Sequence, residues 1–126
     1  IGPDGHIGFN ISGSDHNSTT RLCPINYETQ AAASVDLGGI ELARKSLVIT
    51  IGLRTITRNK NCTVIIIAAG AAKATVVGNA IQSETDIDVP ATVLEKLSNA
   101  RFYLTKGAAK NLTDRQIDLL NKNKKN

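Results

Sequence analysis

The sequence is poor in aromatic residues and has neither tryptophan nor methionine. Aromatic side chains make up 3% of its 126 residues, whereas hydrophobic residues together make up 41%. We therefore expect an aliphatic core built from Ile, Val, Leu and Ala, in one domain at most. Long apolar runs are also lacking, because the longest, TVIIIAAGAA, falls far short of the roughly 20 residues that span a bilayer. This run predicts a buried strand instead.

Cysteine is scarce as well. Cys23 and Cys62 have neither the paired spacing of a zinc site nor the density of a disulfide scaffold, so we expect reduced thiols in a cytoplasmic protein. Four N-x-Ser/Thr patterns argue for a secreted chain, since such patterns accept glycans there. Chance matches in a chain rich in Asn and Thr are the simpler explanation of these patterns.

The positive charge of the sequence is concentrated at one end. The formal net charge is +4, and much of the excess lies in the C-terminal KNKKN, which predicts a solvated tail. Outside this tail there is no basic stripe interleaved with aromatic residues, so we expect neither nucleic acid nor a membrane as a partner. Small phosphorylated ligands remain compatible with the charge.

Two β-branched runs, SLVITIG and CTVIIIAAG, predict strands. Both are apolar on both faces and end in glycine, as in central parallel strands that are covered by helices. ARFYLT, further along the chain, alternates and predicts a third strand. Because helical patterns separate these runs, the sequence predicts an α/β fold, whose ligands gather at the carboxyl ends of the strands.

Three segments have helical patterns. AAKATVVGNAIQS places apolar residues at helical spacing, and VPATVLEKLS has Pro90 where a first helical turn tolerates proline. TDRQIDLL contains a capping box, in which Thr113 and Gln116 start a terminal helix. LRTITRNKN allows no more than a helical turn, and the stretch from NYETQ to GGIELARK predicts only loop.

Asp4 and His6 are the first candidate site residues. GPDG is good turn chemistry by itself, so one interpretation of Asp4 is a turn residue. The other depends on His6: residues i and i+2 of an extended loop point the same way, so the Asp4 carboxylate can orient the His6 ring and stabilise its protonated form. Asp15 and His16 form a second such pair in a Ser- and Asn-rich loop, where solvated side chains are expected.

Lys73 and Arg21 are candidate anion-binding residues. Lys73 lies in the first turn of the helix predicted after AAG, where free backbone N–H groups and the helix dipole favour an anion. A cation at this position is explained if a phosphate lies between the Lys73 side chain and the start of the helix. The sequence has no GxxxxGK[ST] motif, so the phosphate would belong to a small ligand. Arg21, in STTR, supplies a second positive group or simply lies at the surface.

Several segments together resemble the C-terminal half of the glucosamine-6-phosphate deaminase family, also called glucosamine-6-phosphate isomerase. They are, in order, IGPDGHIGFN, STTR, the TIG strand, VIIIAAGAAKA, and VPATVLEKL with RFYL. The resemblance implies a three-layer α/β/α Rossmann-like fold of the sugar-phosphate isomerase type. It also implies conversion of glucosamine 6-phosphate and water to fructose 6-phosphate and ammonia, without a metal or organic cofactor.

The resemblance also implies roles for single residues. His6 would assist opening of the sugar ring, Asp4 would orient His6, and Lys73 would bind the substrate phosphate. Arg21 falls where some members have an allosteric phosphosugar site. Two departures favour other functions: Ile11 stands where the family has a glutamate that completes the histidine unit, and the phosphate-binding arginine expected near Val35 is missing.

Two alternatives therefore stay open, a 6-phosphogluconolactonase-type hydrolase and a non-catalytic sugar-phosphate-binding domain. The resemblance covers residues 1–126 as one C-terminal half-domain. It implies that a phosphate-binding loop and an Asp acting at the sugar C2 precede Ile1. A half-domain leaves strand edges and an aliphatic face uncovered, so we expect either a homo-oligomer or association with the missing N-terminal half.

Overall fold

The computed structural model describes residues 1–81 and 84–122 of the chain. Short strands and short helices alternate along it. The strands are β1 (Arg21–Cys23), β2 (Val48–Thr50), β3 (Val64–Ala68) and β4 (Ala100–Leu104). The α-helices are α1 (Tyr27–Ala33), α2 (Ile40–Lys45), α3 (Leu53–Thr57), α4 (Ala74–Ala80) and α5 (Asp114–Lys122). The described residues also include 3₁₀ helices at Ala71–Lys73 and Pro90–Lys96.

Strands β3 and β4 form a parallel pair, which confirms the α/β class. Their register runs from Val64 opposite Ala100 to Ala68 opposite Leu104. Side chains of β3 alternate in burial, because Ile66 faces the core while Ile65 and Ile67 are exposed. The strand patterns of CTVIIIAAG and ARFYLT are thus confirmed, although β3 is covered on one face only.

The expectation that SLVITIG forms a central parallel strand is wrong. Within this run, β2 pairs antiparallel with β1, and Arg21 lies opposite Thr50. One face of β2 is open, since Ile49 is exposed and Thr50 is buried. An apolar run signals a strand but not the direction of its partner. Here the helices between β1 and β2 turn the chain back and so set the antiparallel direction.

The stretch predicted as loop between NYETQ and GGIELARK contains two helices, α1 and α2. Helix α1 begins after Asn26, whose side-chain Oδ1 accepts a hydrogen bond of 2.9 Å from the Thr29 amide. An Asn before an Ala-containing segment is a helix-start signal that the sequence interpretation missed. Helix α2 follows Gly39, which provides no side-chain cap.

The remaining helical predictions are right in position. The segment that starts at Pro90 is a 3₁₀ helix rather than an α-helix, and LRTITRNKN contains the single short helix α3. At α5 the predicted capping box is confirmed: the Thr113 amide donates to Gln116 Oε1 over 2.9 Å, and the Gln116 amide donates to Thr113 Oγ1 over 3.3 Å. Residues 82–83 of AAKATVVGNAIQS and 123–126 of the predicted tail lie outside the described residues.

The core is aliphatic, as predicted, and lies in two clusters around β3. One is built from Leu53, Ile66, Val93, Leu94, Leu97 and Ala100. The other is built from Ala68, Val77, Ile81 and Ala108. The partly buried Phe102 packs against both clusters, so it connects them along the covered face of the β3–β4 pair. None of the described helices combines the length and hydropathy needed to cross a membrane.

Candidate active site

The loop that precedes β1 forms a closed turn around His6. The Gly2 amide donates to the His6 carbonyl over 3.1 Å, and the Gly5 amide donates to the Gly2 carbonyl over 3.0 Å. Gly5 has a φ of +81°, and a Cβ there would lie 2.7 Å from Val89 Cγ1. Glycine therefore permits both the left-handed backbone and the close approach.

Asp4 and His6 are in contact, as their spacing predicts. His6 Nδ1 lies 2.5 Å from Asp4 Oδ1, and the His6 backbone amide donates to the same oxygen over 3.3 Å. The side chains are 15% exposed for His6 and 24% for Asp4. The ring packs directly on Gly2, where a Cβ would overlap it. With Nδ1–H donated to the carboxylate, Nε2 is the ring nitrogen that can exchange a proton with a ligand.

The second carboxylate oxygen of Asp4 has partners of its own. Asn26 Nδ2 donates to Oδ2 over 3.3 Å, and the Ser12 amide lies 3.5 Å from it. Burial raises the pKa of Asp4, but the hydrogen bond and charge of His6, together with the Asn26 hydrogen bond, outweigh it and hold the pKa below its usual value. The carboxylate is therefore ionised at neutral pH and accepts the hydrogen bond from the ring Nδ1.

Asn10 connects the loop to the end of β2 through hydrogen bonds of its buried side chain. Its side chain is fully buried. Nδ2 donates to the Ile7 carbonyl over 2.8 Å and to the Ile51 carbonyl over 2.7 Å. Oδ1 accepts 2.7 Å from Arg21 Nη1. These three contacts satisfy the buried amide and fix the loop relative to β1 and β2.

Arg21, the candidate anion-binding residue, lies in β1 and contacts the same loop. Besides Asn10, its guanidinium donates to Ser14 Oγ over 3.4 Å. Two of its nitrogens are thus occupied by neutral side chains of the protein. The structure places Arg21 beneath the loop that carries His6, in a supporting arrangement that sequence patterns did not indicate.

Lys73 ends the 3₁₀ helix that follows β3. Its Nζ donates 2.9 Å to the Ile1 carbonyl, so the ammonium lies against the start of the loop that carries Asp4 and His6. Gly70, with a φ of +89°, provides the tight turn between β3 and this helix. The two loops singled out in the sequence therefore meet through this hydrogen bond.

A cleft of about 400 Å³ borders the loop and β3. Its lining includes Gly2, His6 and Leu94, and it follows β3 from Val64 to Ile67. Among the side chains that line it, His6 is the ionisable one, and the other lining residues are aliphatic or glycine. Within the described residues β3 pairs with β4 alone, so the cleft runs along a strand that has one partner.

The part of the chain that the structure describes has no group of three or more His, Cys, Asp and Glu side chains that could hold a metal ion. Cys23 and Cys62 form no disulfide with each other in the structure. The candidate site thus consists of the Asp4–His6 pair, with Lys73 and Arg21 around the same loop.

Comparison with known proteins identifies relatives, although no protein-family model matches. The chain is 31% identical over 112 residues to glucosamine-6-phosphate deaminase 2 of Bacillus subtilis, covering 89% of this chain and 45% of that protein. It is 33% identical over 112 residues to the Staphylococcus saprophyticus glucosamine-6-phosphate deaminase, with the same coverage. For the Staphylococcus aureus enzyme, 33% identity extends over 119 residues, which are 94% of this chain and 46% of that one.

A solved structure agrees with these relatives. It is a monomeric glucosamine-6-phosphate deaminase, described as a missing link of the NagB superfamily, and it superimposes with a TM-score of 0.78 at 28% identity. The alignment covers 89% of this chain and 45% of that chain. In its fold the chain is thus similar to part of an α/β protein of the NagB superfamily.

Within that superfamily, the chain is homologous to the C-terminal part of the glucosamine-6-phosphate deaminase family, which confirms the resemblance. The chain spans about half the length of the curated relatives that it matches.

Proposed function

We propose that the chain is the C-terminal part of a glucosamine-6-phosphate deaminase, which acts in amino-sugar phosphate metabolism. The enzyme would convert glucosamine 6-phosphate and water to fructose 6-phosphate and ammonia. The hydrogen bond of 2.5 Å between Asp4 and His6, at the border of the cleft, carries this proposal. A histidine held through Nδ1 by an ionised carboxylate is equipped to move protons through Nε2.

The proposed task of His6 is ring opening. Nε2 takes the proton of the C1 hydroxyl and delivers a proton to the ring oxygen, so the bond from C1 to that oxygen breaks and the C1 carbonyl forms. No net proton is consumed. Asp4 supports the step because its negative charge stabilises the transient imidazolium. Proton transfer by a positioned group of this kind contributes roughly 10²- to 10⁴-fold to a rate.

We assign the substrate phosphate to Lys73. An ammonium has three N–H donors, so its contact with the Ile1 carbonyl leaves two for phosphate oxygens. The same contact keeps the positive charge beside the loop that carries His6. Arg21 contributes further positive charge beneath the loop, and an allosteric anion site there remains part of the proposal.

The rest of the site would come from the preceding half of the domain. The relatives are about twice as long as the part that this chain matches, and the match is to their C-terminal part. A cleft follows β3, and Ile65 and Ile67 are 59% and 71% exposed. We propose that residues 1–126 form one half of a single domain, whose other half packs here and supplies the phosphate-binding loop and the acid at C2. We assign the complete protein to the cytoplasm.

A second candidate function follows from Ile11. An aliphatic side chain cannot orient an imidazole, so a non-catalytic sugar-phosphate-binding domain would tolerate it. Asp4, however, contacts His6 directly and has further support from Asn26. The enzyme is therefore the better proposal. The relatives reported above are deaminases, which also favours this activity over a 6-phosphogluconolactonase.

Replacement of His6 tests the proposal. In the complete polypeptide that contains this segment, His6→Gln is expected to lower ammonia release from glucosamine 6-phosphate by roughly 10²-fold or more, with the circular dichroism spectrum unchanged. His16→Gln is the matched control, because His16 lies outside the cleft lining, and it should retain the wild-type rate. Wild-type turnover by the His6 variant would remove His6 from the mechanism. Tight sugar-phosphate binding without wild-type turnover would support the second candidate.

A further inference from the structure

Asn26 connects the candidate site to helix α1 through the two ends of one side-chain amide. Oδ1 accepts the Thr29 amide hydrogen over 2.9 Å and caps the helix. Nδ2 donates to Asp4 Oδ2 over 3.3 Å. The two partners fix the amide orientation, because an N–H group must meet the oxygen and an ionised carboxylate must meet the nitrogen.

Asn26 binds Oδ2 of Asp4, the carboxylate oxygen that His6 does not contact. His6 uses only Oδ1, through its ring and its backbone amide. At Oδ2 the Ser12 amide is at 3.5 Å, which is long for a hydrogen bond, so Asn26 is the closer of these two partners. A carboxylate held at both oxygens has a fixed plane, and a fixed plane sets the direction in which the His6 ring points.

We infer that Asn26 is a positioning residue, which holds Asp4, and through it His6, from the start of helix α1. The inference rests on the proposed function for its catalytic consequence, but the contact itself is independent of that function. Asn26 and Asp4 are separated by 22 residues, so the contact joins two separate parts of the fold. The backbone carbonyl of Asn26 also accepts the Gln30 amide over 2.9 Å, which anchors it in α1.

Asn26→Ser separates the two roles of this side chain. Serine keeps an oxygen that caps the helix and removes the amide donor to Asp4. In the complete polypeptide we expect kcat for ammonia release to fall roughly 3- to 10-fold with KM little changed, because a hydrogen bond to a charged group is lost. Asn59→Ser is the matched control, since Asn59 also accepts a local amide, from Asn61, but is exposed and contacts no site residue.

Asn26→Asp provides a second test, because it replaces the amide donor to Asp4 with a negative charge. It keeps the shape and the capping oxygen but places a second carboxylate beside Asp4, which raises the pKa of Asp4. The groups around Asp4 are His6 from the same loop, the neutral Asn26 at the start of α1, and Ser12. The Ser12 hydroxyl is hydrogen-bonded to the carboxylate of Asp88. The acidic limb of the profile of kcat/KM against pH should therefore move to higher pH. A limb that does not move would show that position 26 does not face Asp4, and would overturn the inference.

The histidine ring nitrogens give a readout that does not need activity. The sequence has two histidines, so His16 serves as an internal reference in ¹H–¹⁵N correlation spectra. Asn26→Ser should change the His6 Nδ1 signals and leave those of His16 unchanged. If serine lowers the melting temperature, Asn26→Thr, a second capping residue without the amide, repeats the comparison.

The outcomes separate this inference from the proposed function. Unchanged His6 signals together with unchanged kcat in Asn26→Ser would overturn it. If the wild-type polypeptide releases no ammonia, the proposed function fails, and the His6 signals alone decide the role of Asn26. Equal kinetic losses in the Asn26 and Asn59 variants would also overturn it, because Asn59 does not touch Asp4.

Discussion

Asp4 receives hydrogen bonds at both carboxylate oxygens, and this explains how a short loop holds a histidine in place. The spacing of Asp4 and His6 predicted their contact, because it is local. Asn26 and Asn10 were not predicted, since their partners lie 22 residues away at Asp4 and 41 residues away at Ile51. A hydrogen bond from an Asn to a distant segment has no local sequence pattern, so only the folded chain identifies it.

Acid should weaken the contribution of Asp4 to stability. The folded protein holds the pKa of Asp4 below its usual value, so the stabilisation is present above the unfolded pKa, about 3.9, and is lost as pH falls through the folded value. We expect urea unfolding to show wild type more stable than Asp4→Asn at neutral pH, with the difference shrinking below about pH 4. A difference that is constant across this range would contradict the assigned ionisation.

Lys73→Ala should act on binding rather than on the chemical step. Loss of the ammonium removes a charge-assisted contact to the substrate phosphate, so KM for glucosamine 6-phosphate should rise roughly 10-fold or more with kcat less affected. Lys60→Ala is the control, because Lys60 precedes β3 at the end opposite to Lys73. An equal loss of kcat/KM with unphosphorylated glucosamine would count against a phosphate role for Lys73.

At the scale of elements, sequence patterns predicted those features that depend on neighbouring residues, such as helix caps and single strands. The capping box of α5 and the β-branched run of β3 formed as predicted. The antiparallel partner of β2 did not follow from its sequence, because pairing direction depends on the path between the strands. Helices α1 and α2 were missed, since their Ala- and Gly-containing segment lacks a clear apolar period.

Gly78 offers a stability test of α4. It lies inside the helix, and a Cβ there would meet the Asn111 carbonyl oxygen at 4.0 Å, which is ordinary van der Waals contact. Gly78→Ala should therefore stabilise the chain by about 0.5–1 kcal/mol, because alanine loses less backbone entropy in a helix. Chemical denaturation measures this, and a destabilised variant would show that α4 needs the glycine for closer packing.

At the scale of the whole molecule, one face of the β3–β4 pair is open. Ile65, Ile67 and Tyr103 are exposed there, next to a cleft that follows β3. Sequence patterns predicted a strand apolar on both faces, which is what a strand between two helical layers requires. The proposed preceding half of the domain accounts for this face, because burial of exposed aliphatic side chains would stabilise the assembled domain.

Ile67→Lys tests whether that face is covered in the complete polypeptide. If it is, the lysine places a charge in an apolar interface and should lower the free energy of unfolding by roughly 2 kcal/mol or more. Val35→Lys is the control, since Val35 is 89% exposed and outside this face. Equal stability of the two variants would mean that the face stays open.

The most direct test of the central claim is a product assay with the complete wild-type polypeptide and glucosamine 6-phosphate. Ammonia and fructose 6-phosphate are measured in the same reaction. The proposed deaminase releases them in equal amounts, and unphosphorylated glucosamine yields little of either. Binding of glucosamine 6-phosphate without either product, or hydrolysis of a sugar-phosphate lactone in its place, would contradict the assignment.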